Sequence, residues 1–585
     1  MTRFASFVSG RRSKFVVLGL WVVLVVALGP FAGRFEGAQR NEPSSFLPEG
    51  AESVEVLNAA EGFPSGEVTP AVAVFRSPDG LGAEGRAAVE RARTRVDGAA
   101  IEGVQRLAPT ILSRDGTSAF FAIPIKAEGE EEILIGAVED TRELVRDGLP
   151  PGLEVEVTGP AGFSADASKA FEGINTTLLF ATVALVFVLL VLIYRSPIFW
   201  ALPLISVLFA ESVVRGLGYL LAEAGTVING QTGGILLVLV FGAGTDYALL
   251  LTARYREELL RVEDKHEAMA IALRKAGPAI VASAGTVIAA LLCLSLAQVN
   301  SVSGLGPVGA MGVAVAAAAM LTVLPVLLLI GGRRAFWPFV PRFGQETEAG
   351  RGSWWRLGRA IQRRHRAVWI GSAAGLSVLA LGMLTLDDDL TTASFFRGTV
   401  EAVEGQRLLE QAFPAGAGAP TVVLVRDESR LDSALDAARS AAGVATVGRV
   451  ERGEPGARFD VTLASDPFSE EAFAAIGPLR DRLQAAAGEG VLVGGPTAEE
   501  ADLRTATSRD TRLLVPLVLA VVLAILIVLL RSLAAPLMLM ATVLLSYFAA
   551  LGGSLLLFEL FADFPGEDPS YALIAFIFLV ALGVD

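Results

Sequence analysis

The chain has 585 residues, of which 53% are hydrophobic and 19% are charged, and its net charge at pH 7 is −14. The charged share lies below the roughly 25% typical of soluble domains, and a mean hydropathy of +0.55 is typical of a membrane protein with large aqueous parts. The negative charge argues against a nucleic-acid partner. With one cysteine and two histidines, an intramolecular disulfide is excluded and a zinc site has too few ligands, so no metal is expected.

Ten apolar runs follow one another along the chain. Nine of them reach or nearly reach the roughly 20 residues that a membrane helix needs, and the tenth stops with the chain. The runs are 15–31, 176–194, 199–221, 232–253, 277–297, 307–330, 367–386, 513–530, 534–558 and 571–585. The first run has the basic flank of a signal peptide, but the same pattern recurs in mid-chain before residue 367, so we interpret both runs as membrane helices.

Basic residues predict which loops face the cytoplasm. Segment 332–366 carries nine arginines against two acids, and segment 254–275 carries six basic residues. Under the positive-inside rule, both segments and the N-terminus are cytoplasmic, and 33–172 and 387–512 lie outside. The sequence therefore predicts a multi-pass protein of the cytoplasmic (cell) membrane with two large extracytoplasmic domains.

The second half of the chain repeats the first. Pro70 and Arg76 recur 350 residues later as Pro420 and Arg426. Further matches, at offsets of 336 to 339, are Gly159-Pro160 with Gly495-Pro496, Asp166 with Asp502, Arg195-Ser196 with Arg531-Ser532, and Gly244-Thr245-Asp246 with Gly583-Val584-Asp585. Tandem repeats of the same orientation are related by an axis along the membrane normal, so we expect a pseudo-twofold arrangement.

Each outer domain is predicted to be an α+β domain with the order β-α-β-β-α-β, the ferredoxin-like motif. The predicted elements are 69–75, 84–97, 105–112, 118–125, 132–147 and 153–158 in the first domain, and 421–426, 431–442, 444–450, 459–464, 469–487 and 491–493 in the second. The chain is thus divided into 1–32, 33–172, 173–331, 332–366, 367–386, 387–512 and 513–585.

Asp246 is the residue to which the sequence assigns chemistry. It lies 14 residues into the run that begins at residue 232, or about 21 Å along a helix. Ionising a carboxyl group there is costly, so a neutral form competes and the group can carry a proton. Tyr247 and Thr245 could donate hydrogen bonds to a carboxylate, and Asp585 occupies the matching place in the other half. A structural polar contact between helices is the alternative.

Small and hydroxyl-bearing residues surround these acids. Three glycines are expected to let helices approach closely, namely Gly242, Gly244 and Gly583. Ser283, Thr286 and Thr322 are candidates for a proton relay or for packing, with packing favoured. Neither a catalytic nucleophile with a base nor a metal cluster is recognised outside the membrane.

Two further groups of residues have structural interpretations. Glu211 and Arg215 lie four residues apart in the third run, on one helical face, and are predicted to form an ion pair that supports the fold rather than transport. Trp337, Trp354 and Trp355 lie in the basic cytoplasmic segment. Aromatic and basic residues together are typical of an anchor on anionic lipid.

Three motifs carry a family resemblance. They are FGAGTDYALLLTARYREEL at 241–259, AGPAIVASAGT at 276–286 and LLLIGGRRAFWP at 327–338. Together they resemble the MMPL branch of the RND superfamily, over essentially the whole chain. The resemblance implies twelve spans, two porter-type outer domains and export of lipids or other hydrophobic compounds driven by the proton-motive force. Protons would be the coupling ion, without a cofactor.

The resemblance also implies functional residues. Members of this branch have an Asp-Tyr pair on span four and another on span ten; Asp246 and Tyr247 match the first pair, and Asp585 matches the second acid. Spans two to six further resemble a sterol-sensing-type bundle. Because the tenth run extends only about 22 Å and no further spans follow, the sequence is interpreted as a fragment or a truncated gene model.

Two other functions stay open at this stage. One is a lipid-binding, sterol-sensing-like protein that does not pump, and the other is a SecDF-like helper of protein translocation. The Tyr-Arg-Glu-Glu stretch at 255–258, interpreted as a loop, favours the MMPL branch. The expected partners are the bilayer and a lipid or hydrophobic small molecule, whereas the identity of the substrate and a homo-oligomeric state are left open.

Overall fold

The computed structural model describes residues 2–40, 47–48, 50–63, 68–126, 131–194, 196, 199–345, 353–385, 400–562 and 570–583. In this part of the chain the protein is mostly helical and contains two four-stranded antiparallel sheets. Three helices precede the first sheet: α1 (Thr2–Val8), α2 (Ser13–Ala32) and α3 (Glu52–Ala59).

The first sheet has the predicted β-α-β-β-α-β order. Its elements are β1 (Thr69–Arg76), α4 (Ala83–Gly98), β2 (Ile111–Leu112), β3 (Ser118–Ile125), α5 (Glu131–Arg146) and β4 (Glu154–Thr158), with strands arranged β2-β3-β1-β4. In the central strand, Ala73 pairs with Phe121 on one side and Val157 on the other. The strand predicted over 105–112 is shorter than expected, because Pro109 has no N–H to continue the ladder.

Five helices follow the first sheet. They are α6 (Gly159–Tyr194), α7 (Ala201–Glu223), α8 (Gly230–Arg261), α9 (Lys265–Cys293) and α10 (Asn300–Gly331). Helix α6 begins directly after β4 and has 36 residues, about 54 Å, so that it joins the sheet to the predicted second span without a break. Helices α8, α9 and α10 pack against one another, and α7 packs against α2 and α10.

The loop predicted over 254–275 is largely helical. Helix α8 continues to Arg261 and α9 begins at Lys265, so the Tyr-Arg-Glu-Glu stretch lies within α8. The Asp264 carboxylate accepts a hydrogen bond of 2.7 Å from the His266 N–H and thereby starts α9. An Asp at this position satisfies a backbone donor that has no partner inside the helix, which is why the turn is so short.

Two helices connect the first bundle to the second half, α11 (Ser353–Arg363) and α12 (His365–Ala380). Helix α11 is amphipathic: Leu357 and Ile361 share one face, and Arg359 and Arg363 lie on the opposite one. The Arg359 guanidinium lies 4.3 Å from the centre of the Trp355 ring. Such a helix is typical of a membrane surface, which agrees with the interfacial anchor predicted for this segment.

The second sheet has the same strand arrangement as the first, β6-β7-β5-β8. Its unit comprises α13 (Glu401–Glu410), β5 (Thr421–Val425), α14 (Leu431–Arg439), β6 (Val444–Gly453), β7 (Gly456–Leu463), α15 (Glu470–Ala487) and β8 (Val491–Gly494). The remaining helices are α16 (Pro496–Leu530), α17 (Ala534–Ala562) and α18 (Tyr571–Leu582). Like α6, α16 runs directly from a sheet into an apolar segment.

Matched glycines form the two junctions between sheet and long helix. Gly159 and Gly495 have φ of +84° and +89°, the left-handed region that glycine adopts readily. A Cβ atom at Gly159 would lie 2.9 Å from the Pro70 carbonyl oxygen, and one at Gly495 would lie 2.9 Å from that of Pro420. Both the backbone conformation and the available space therefore require glycine at each junction.

Within the described residues, eight helices are long and apolar enough to cross a membrane: α2, α7, α8, α9, α10, α12, α16 and α17. Helix α18 is apolar but has only 12 residues. One apolar core joins α1, α2, α7 to α10 and α16 to α18, whereas each sheet packs against its own helices. The protein is therefore a multi-pass membrane protein with two α+β units, each built on its own sheet.

Each sheet also carries a helix from the other half of the chain. Helix α3 packs against β8, and α13 packs against β4. The approach is close, since a Cβ atom at Gly494 would lie 2.6 Å from Val56 Cβ, and one at Gly405 would lie 2.8 Å from Thr158 Cβ. The two α/β units are thus interlocked by reciprocal exchange of a helix, which the sequence analysis does not predict.

Candidate functional site

Asp246 lies in the second half of α8, within the helix bundle. Its side chain is half-buried, and the next residue, Tyr247, is completely buried. The Thr245 hydroxyl donates to the carbonyls of Phe241 (2.9 Å) and Gly242 (3.0 Å) of its own helix, so its proton is directed away from Asp246. The predicted acid and tyrosine are therefore inside an apolar helix bundle, whereas Thr245 satisfies backbone carbonyls.

The glycines next to Asp246 differ in their surroundings. A Cβ atom at Gly244 would lie 2.9 Å from Val207 Cγ2 and 3.4 Å from Met320 Cε, so α7, α8 and α10 meet at this glycine. Gly242 is exposed, and no described atom lies within 4 Å of a Cβ built there. Close packing at Gly242 stays a prediction, because no contact among the described residues supports it.

The three predicted hydroxyls have different environments. Thr286 is buried in α9 and donates to the Ala282 carbonyl at 3.1 Å, a bond within its own helix. Thr322 in α10 accepts a hydrogen bond of 2.9 Å from the Trp21 indole and so joins α10 to α2. Ser283 is half-buried in α9. Packing explains Thr322, and nothing in these contacts directs Thr286 toward Asp246.

The predicted ion pair between Glu211 and Arg215 is wrong in its partner. Arg215 forms its ion pair with Glu36, which follows α2, and lies 5.8 Å from the centre of the Phe35 ring. Among the described residues, Glu211 Oε2 is buried and has no hydrogen-bond partner. The long arginine side chain reaches across from α7 to the segment after α2, while its charge still attracts Glu211, a second acid in an apolar helix, about one turn along α7 from Val207.

Asp585, the predicted second acid, lies outside the described residues. The helix that leads to it, α18, packs against α9, α16 and α17, and α9 packs in turn against α8. At the last described residue, Gly583, a Cβ atom would lie 3.4 Å from Val543 Cγ1 of α17. Helix α9 therefore contacts both the helix of Asp246 and the helix of the second half that corresponds to it.

A buried charge cluster, not predicted from the sequence, joins the first sheet unit to the second half. Arg142 binds both carboxylate oxygens of Asp166, at 2.7 and 2.9 Å, and its Nε lies 3.0 Å from Glu401 at the start of α13. Asp166 also accepts from the Ala402 N–H, and Glu401 accepts from the Val157 N–H. We call Arg142, Asp166 and Glu401 the first charge cluster.

The second charge cluster has the same composition with the halves reversed. Arg480 binds Asp502 at 2.5 and 2.9 Å, and its Nε lies 3.3 Å from Glu52 at the start of α3. Ser53 donates to Asp502 at 2.7 Å, and the Val493 N–H donates to Glu52 at 2.6 Å. Burial raises the pKa of the Glu52 carboxyl group, although the neighbouring Arg480 acts to lower it.

The two charge clusters had one signal in the sequence. Asp166 and Asp502 occupy matched positions of the repeat, but neither their arginine partners nor their partners across the halves are close in sequence. Each arginine satisfies two carboxylates, which limits the cost of taking the charges out of water. The first charge cluster thereby holds α13 on the first sheet, and the second charge cluster holds α3 on the second sheet.

Asp510 makes a further connection between the halves. It is completely buried in α16, and one carboxylate oxygen accepts from the backbone N–H groups of Gln298 (2.8 Å) and Val299 (3.1 Å). Its other oxygen lies 3.0 Å from Arg509. Helix α16 of the second half therefore holds the connection between α9 and α10 of the first.

The opposite end of the first bundle is closed by basic residues. The Arg333 guanidinium donates to the carbonyls of Leu259 (2.7 Å) and Val262 (2.8 Å), at the C-terminal end of α8. A cation there complements the carbonyl groups that have no partner inside the helix. At the same end, Arg11 lies 3.1 Å from Asp264, so the segment after α1 contacts the turn between α8 and α9.

Comparison with known proteins gives concordant matches. The model of the MMPL family matches residues 45–368 and 397–585. The chain is 42% identical to the membrane protein ActII-3 of Streptomyces coelicolor, over 100% of this chain and 83% of that protein. It is 30% identical to the apo-petrobactin exporter of Bacillus anthracis, over 99% of this chain and 84% of that protein. It is 27% identical to the sulfolipid-1 exporter MmpL8 of Mycobacterium tuberculosis, over 72% of this chain and 39% of that protein.

Proposed function

The chain belongs to the MMPL family, and from that premise we propose that it exports a lipid or another hydrophobic compound across the cell membrane, driven by the proton-motive force. Matches to the family model in both halves confirm the resemblance seen in the three motifs. Two of the relatives are named exporters, one of sulfolipid-1 and one of apo-petrobactin. We extend export, and an amphiphilic or hydrophobic cargo, from them to this chain.

The observation that carries proton coupling is the position of Asp246. It is an ionisable side chain in a helix that is long and apolar enough to cross a membrane, beside a completely buried tyrosine. Carboxyl groups at membrane depth are expensive to ionise and are found in proton pathways. In our proposal Asp246 takes a proton from one side and releases it to the other, with Tyr247 as a hydrogen-bond donor and Asp585 as the corresponding acid.

The basic end of the bundle supports the proposed topology. The three-residue turn between α8 and α9, the N-terminal helix and Arg333 all lie at this end, where arginines and lysines are concentrated. Under the positive-inside rule this end faces the cytoplasm. The opposite end of the bundle, where α8 begins, then faces outward. Both sheet units lie on that outer side, because α6 and α16 run from the sheets into the membrane segments.

Matched features of the two sheet units support the proposed repeat. Both sheets have the same strand arrangement, both continue through a glycine into a helix of about ten turns, and both hold an exchanged helix by an Arg-Asp-Glu cluster. In our proposal the two halves are related by a pseudo-twofold axis along the membrane normal. Protonation of Asp246 changes the packing of the bundles, and α6 and α16 carry that movement to the outer units.

The test is a conservative substitution that keeps the shape of the side chain but removes its ability to gain and lose a proton. In proteoliposomes with an imposed pH gradient, Asp246→Asn is expected to reduce gradient-driven movement of a fluorescent phosphatidylglycerol, and the linked proton flux reported by trapped pyranine, to the level of empty vesicles. Asp264→Asn is the matched control, since Asn also starts a helix well and Asp264 lies outside the spans. Gradient-driven transport that persists in Asp246→Asn would refute proton coupling at this residue.

A further inference from the structure

An open depression of about 490 Å³ lies along one face of α16. It is lined by Arg504, Thr505, Ser508, Arg509 and Arg512. These positions recur at helical spacing, so their side chains share one side of the helix. Three arginines on a single face, within nine residues, form a concentrated positive patch.

The arginines are not equally neutralised by neighbouring acids. Arg504 pairs with Glu470 and lies 3.1 Å from Glu500, and Arg509 lies 3.0 Å from Asp510. Arg512 is exposed and has neither an ion pair nor a hydrogen bond in the part of the chain that the structure describes. Among the described residues, therefore, no acid neutralises the Arg512 guanidinium, which lies at the end of the depression nearest the apolar part of α16.

A hydroxyl group completes the arrangement. Ser508 is exposed and lies one turn before Arg512, on the same face of α16. A guanidinium presents two parallel N–H donors that match two oxygens of a phosphate, sulfate or carboxylate group, and a hydroxyl can donate to another oxygen of the same group. The donor set at Ser508 and Arg512 is therefore suited to an anionic head group.

An exposed apolar track continues from this point. Leu513 follows Arg512 directly, and Pro516, Ala520 and Ala524 lie exposed at successive turns of the same helix, in the segment that can cross a membrane. An anion bound at Arg512 would thus have an acyl chain aligned with a smooth face of small side chains. A free phosphate ion would use the head of this site but not the track.

The first half of the chain lacks this patch. The positions 336 residues before Arg504, Arg509 and Arg512 hold Ser168, Gly173 and Thr176. Features that serve the fold, such as the charge clusters and the glycine junctions, occur in both halves. Arginines restricted to α16 therefore indicate a role that only one half performs.

We propose that this face of α16 binds a lipid-like amphiphile with an anionic head group, with the head at Arg512 and Ser508 and the chain along the apolar track. The inference rests on the proposed function, because it requires the start of α16 to lie at the outer surface of the membrane. It narrows the cargo to amphiphiles that carry a phosphate, sulfate or carboxylate.

The site can be tested by photolabelling, without transport. The full chain in phosphatidylcholine nanodiscs is exposed to photoreactive phosphatidylglycerol or to phosphatidylcholine with the same chains, and labelled peptides are mapped by mass spectrometry. We expect phosphatidylglycerol to label the α16 peptide preferentially, and Arg512→Gln to weaken this labelling about tenfold, as for loss of a charge-assisted hydrogen-bonding group. Inorganic phosphate should compete only weakly, because it lacks the chain.

The control removes the same charge from the other end of the same helix, by Arg531→Gln. A second variant, Ser508→Asp, keeps all three arginines and places a carboxylate in the site, so it should reduce labelling as well. Equal labelling by both lipids, or equal loss in Arg512→Gln and Arg531→Gln, would overturn the proposal. Failure of proton coupling would not affect this result, because labelling needs no gradient, and Asp246→Asn should label like the parent chain.

Discussion

Gly244, two residues before Asp246, sets how closely three helices approach in the bundle. Its missing side chain lets Val207 of α7 and Met320 of α10 reach the α8 backbone. Val207 lies one turn from Glu211, so the Gly244–Val207 contact also influences the distance between α8, which carries Asp246, and α7, which carries Glu211. The packing at a single glycine is therefore linked to the geometry around both membrane-embedded acids.

Replacing Gly244 by leucine is expected to destabilise the bundle by about 1 to 3 kcal/mol, the usual cost of overpacking a filled core. The matched variant Gly242→Leu adds the same side chain two residues away, where no described atom is near, and should change stability by less than about 0.5 kcal/mol. Thermal unfolding of the detergent-purified chain measures both. Equal destabilisation in the two variants would show that Gly244 is not a contact point.

At the scale of elements, the exchange of α3 and α13 is the least expected feature of the fold. Each helix is held by a glutamate at its start and by contact along a sheet edge of the other half. Each cluster consists of an arginine, buried at Arg142 and largely buried at Arg480, with two carboxylates, and breaking such a group is costly because it leaves a charge without a partner. The helices are therefore fixed in position rather than loosely apposed.

A disulfide can test the exchange directly. The Cβ position at Gly162, in α6, lies 3.6 Å from Ala402 Cβ, in α13, which is within the range of about 3.5 to 4.5 Å seen in disulfides. In a Cys293→Ser background, Gly162→Cys with Ala402→Cys should form a cross-link on mild oxidation, identified as a linked peptide pair. Gly162→Cys with Ala434→Cys, which lies in α14, should remain reduced. Free thiols in the first pair of a folded chain would contradict the exchange.

Local sequence patterns predicted most elements but not their exchange. Runs rich in β-branched residues mark strands such as β1 and β5, and length together with apolarity marks the membrane helices, because both signals depend on near neighbours. Helices α3 and α13 are short and only moderately amphipathic, and their contacts lie 236 to 449 residues away. Nothing local distinguishes a helix that packs on its own sheet from one that packs on another.

Local sequence patterns also predicted the residues of the candidate site but not all of their contacts. Asp246 and Tyr247 were recognised because a polar pair interrupts an apolar run, but the partner of Arg215 was predicted wrongly. A pair four residues apart on one helix is the nearest choice in sequence, yet the arginine side chain is long enough to reach Glu36 beyond α2. The role of Asp585 stays a prediction.

At the scale of the whole molecule, α16 connects three parts. It begins at the second sheet, takes part in the second charge cluster through Asp502, and holds the α9–α10 connection through Asp510. Movement of the second sheet unit would therefore be transmitted to the first helix bundle as well as to the helices of the second half. This direct mechanical path would serve the proposed coupling between Asp246 and the two sheet units.

Removing the Asp510 carboxylate should weaken this path. Asp510→Ala leaves the N–H groups of Gln298 and Val299 without their acceptor, at a cost of about 1 to 3 kcal/mol for each buried donor. We expect a lower unfolding temperature and slower gradient-driven lipid movement in proteoliposomes. Asp510→Asn keeps one acceptor oxygen, so its unfolding temperature and transport rate should lie between those of the parent chain and Asp510→Ala. An unchanged unfolding temperature in Asp510→Ala would remove this connection from the mechanism.

The exchanged helices also determine when each sheet unit can be completed during synthesis. Asp166 of the first unit needs Ala402, made 236 residues later, which at 5 to 20 residues per second is a delay of roughly 10 to 50 seconds. Until then the surface of the first unit that binds α13 is uncovered. The delay is longer for α3, because its Ser53 contacts Asp502, which lies 449 residues further along the chain. The first unit can therefore be completed only after α13 has emerged, whereas the second unit meets an α3 that has already been synthesised.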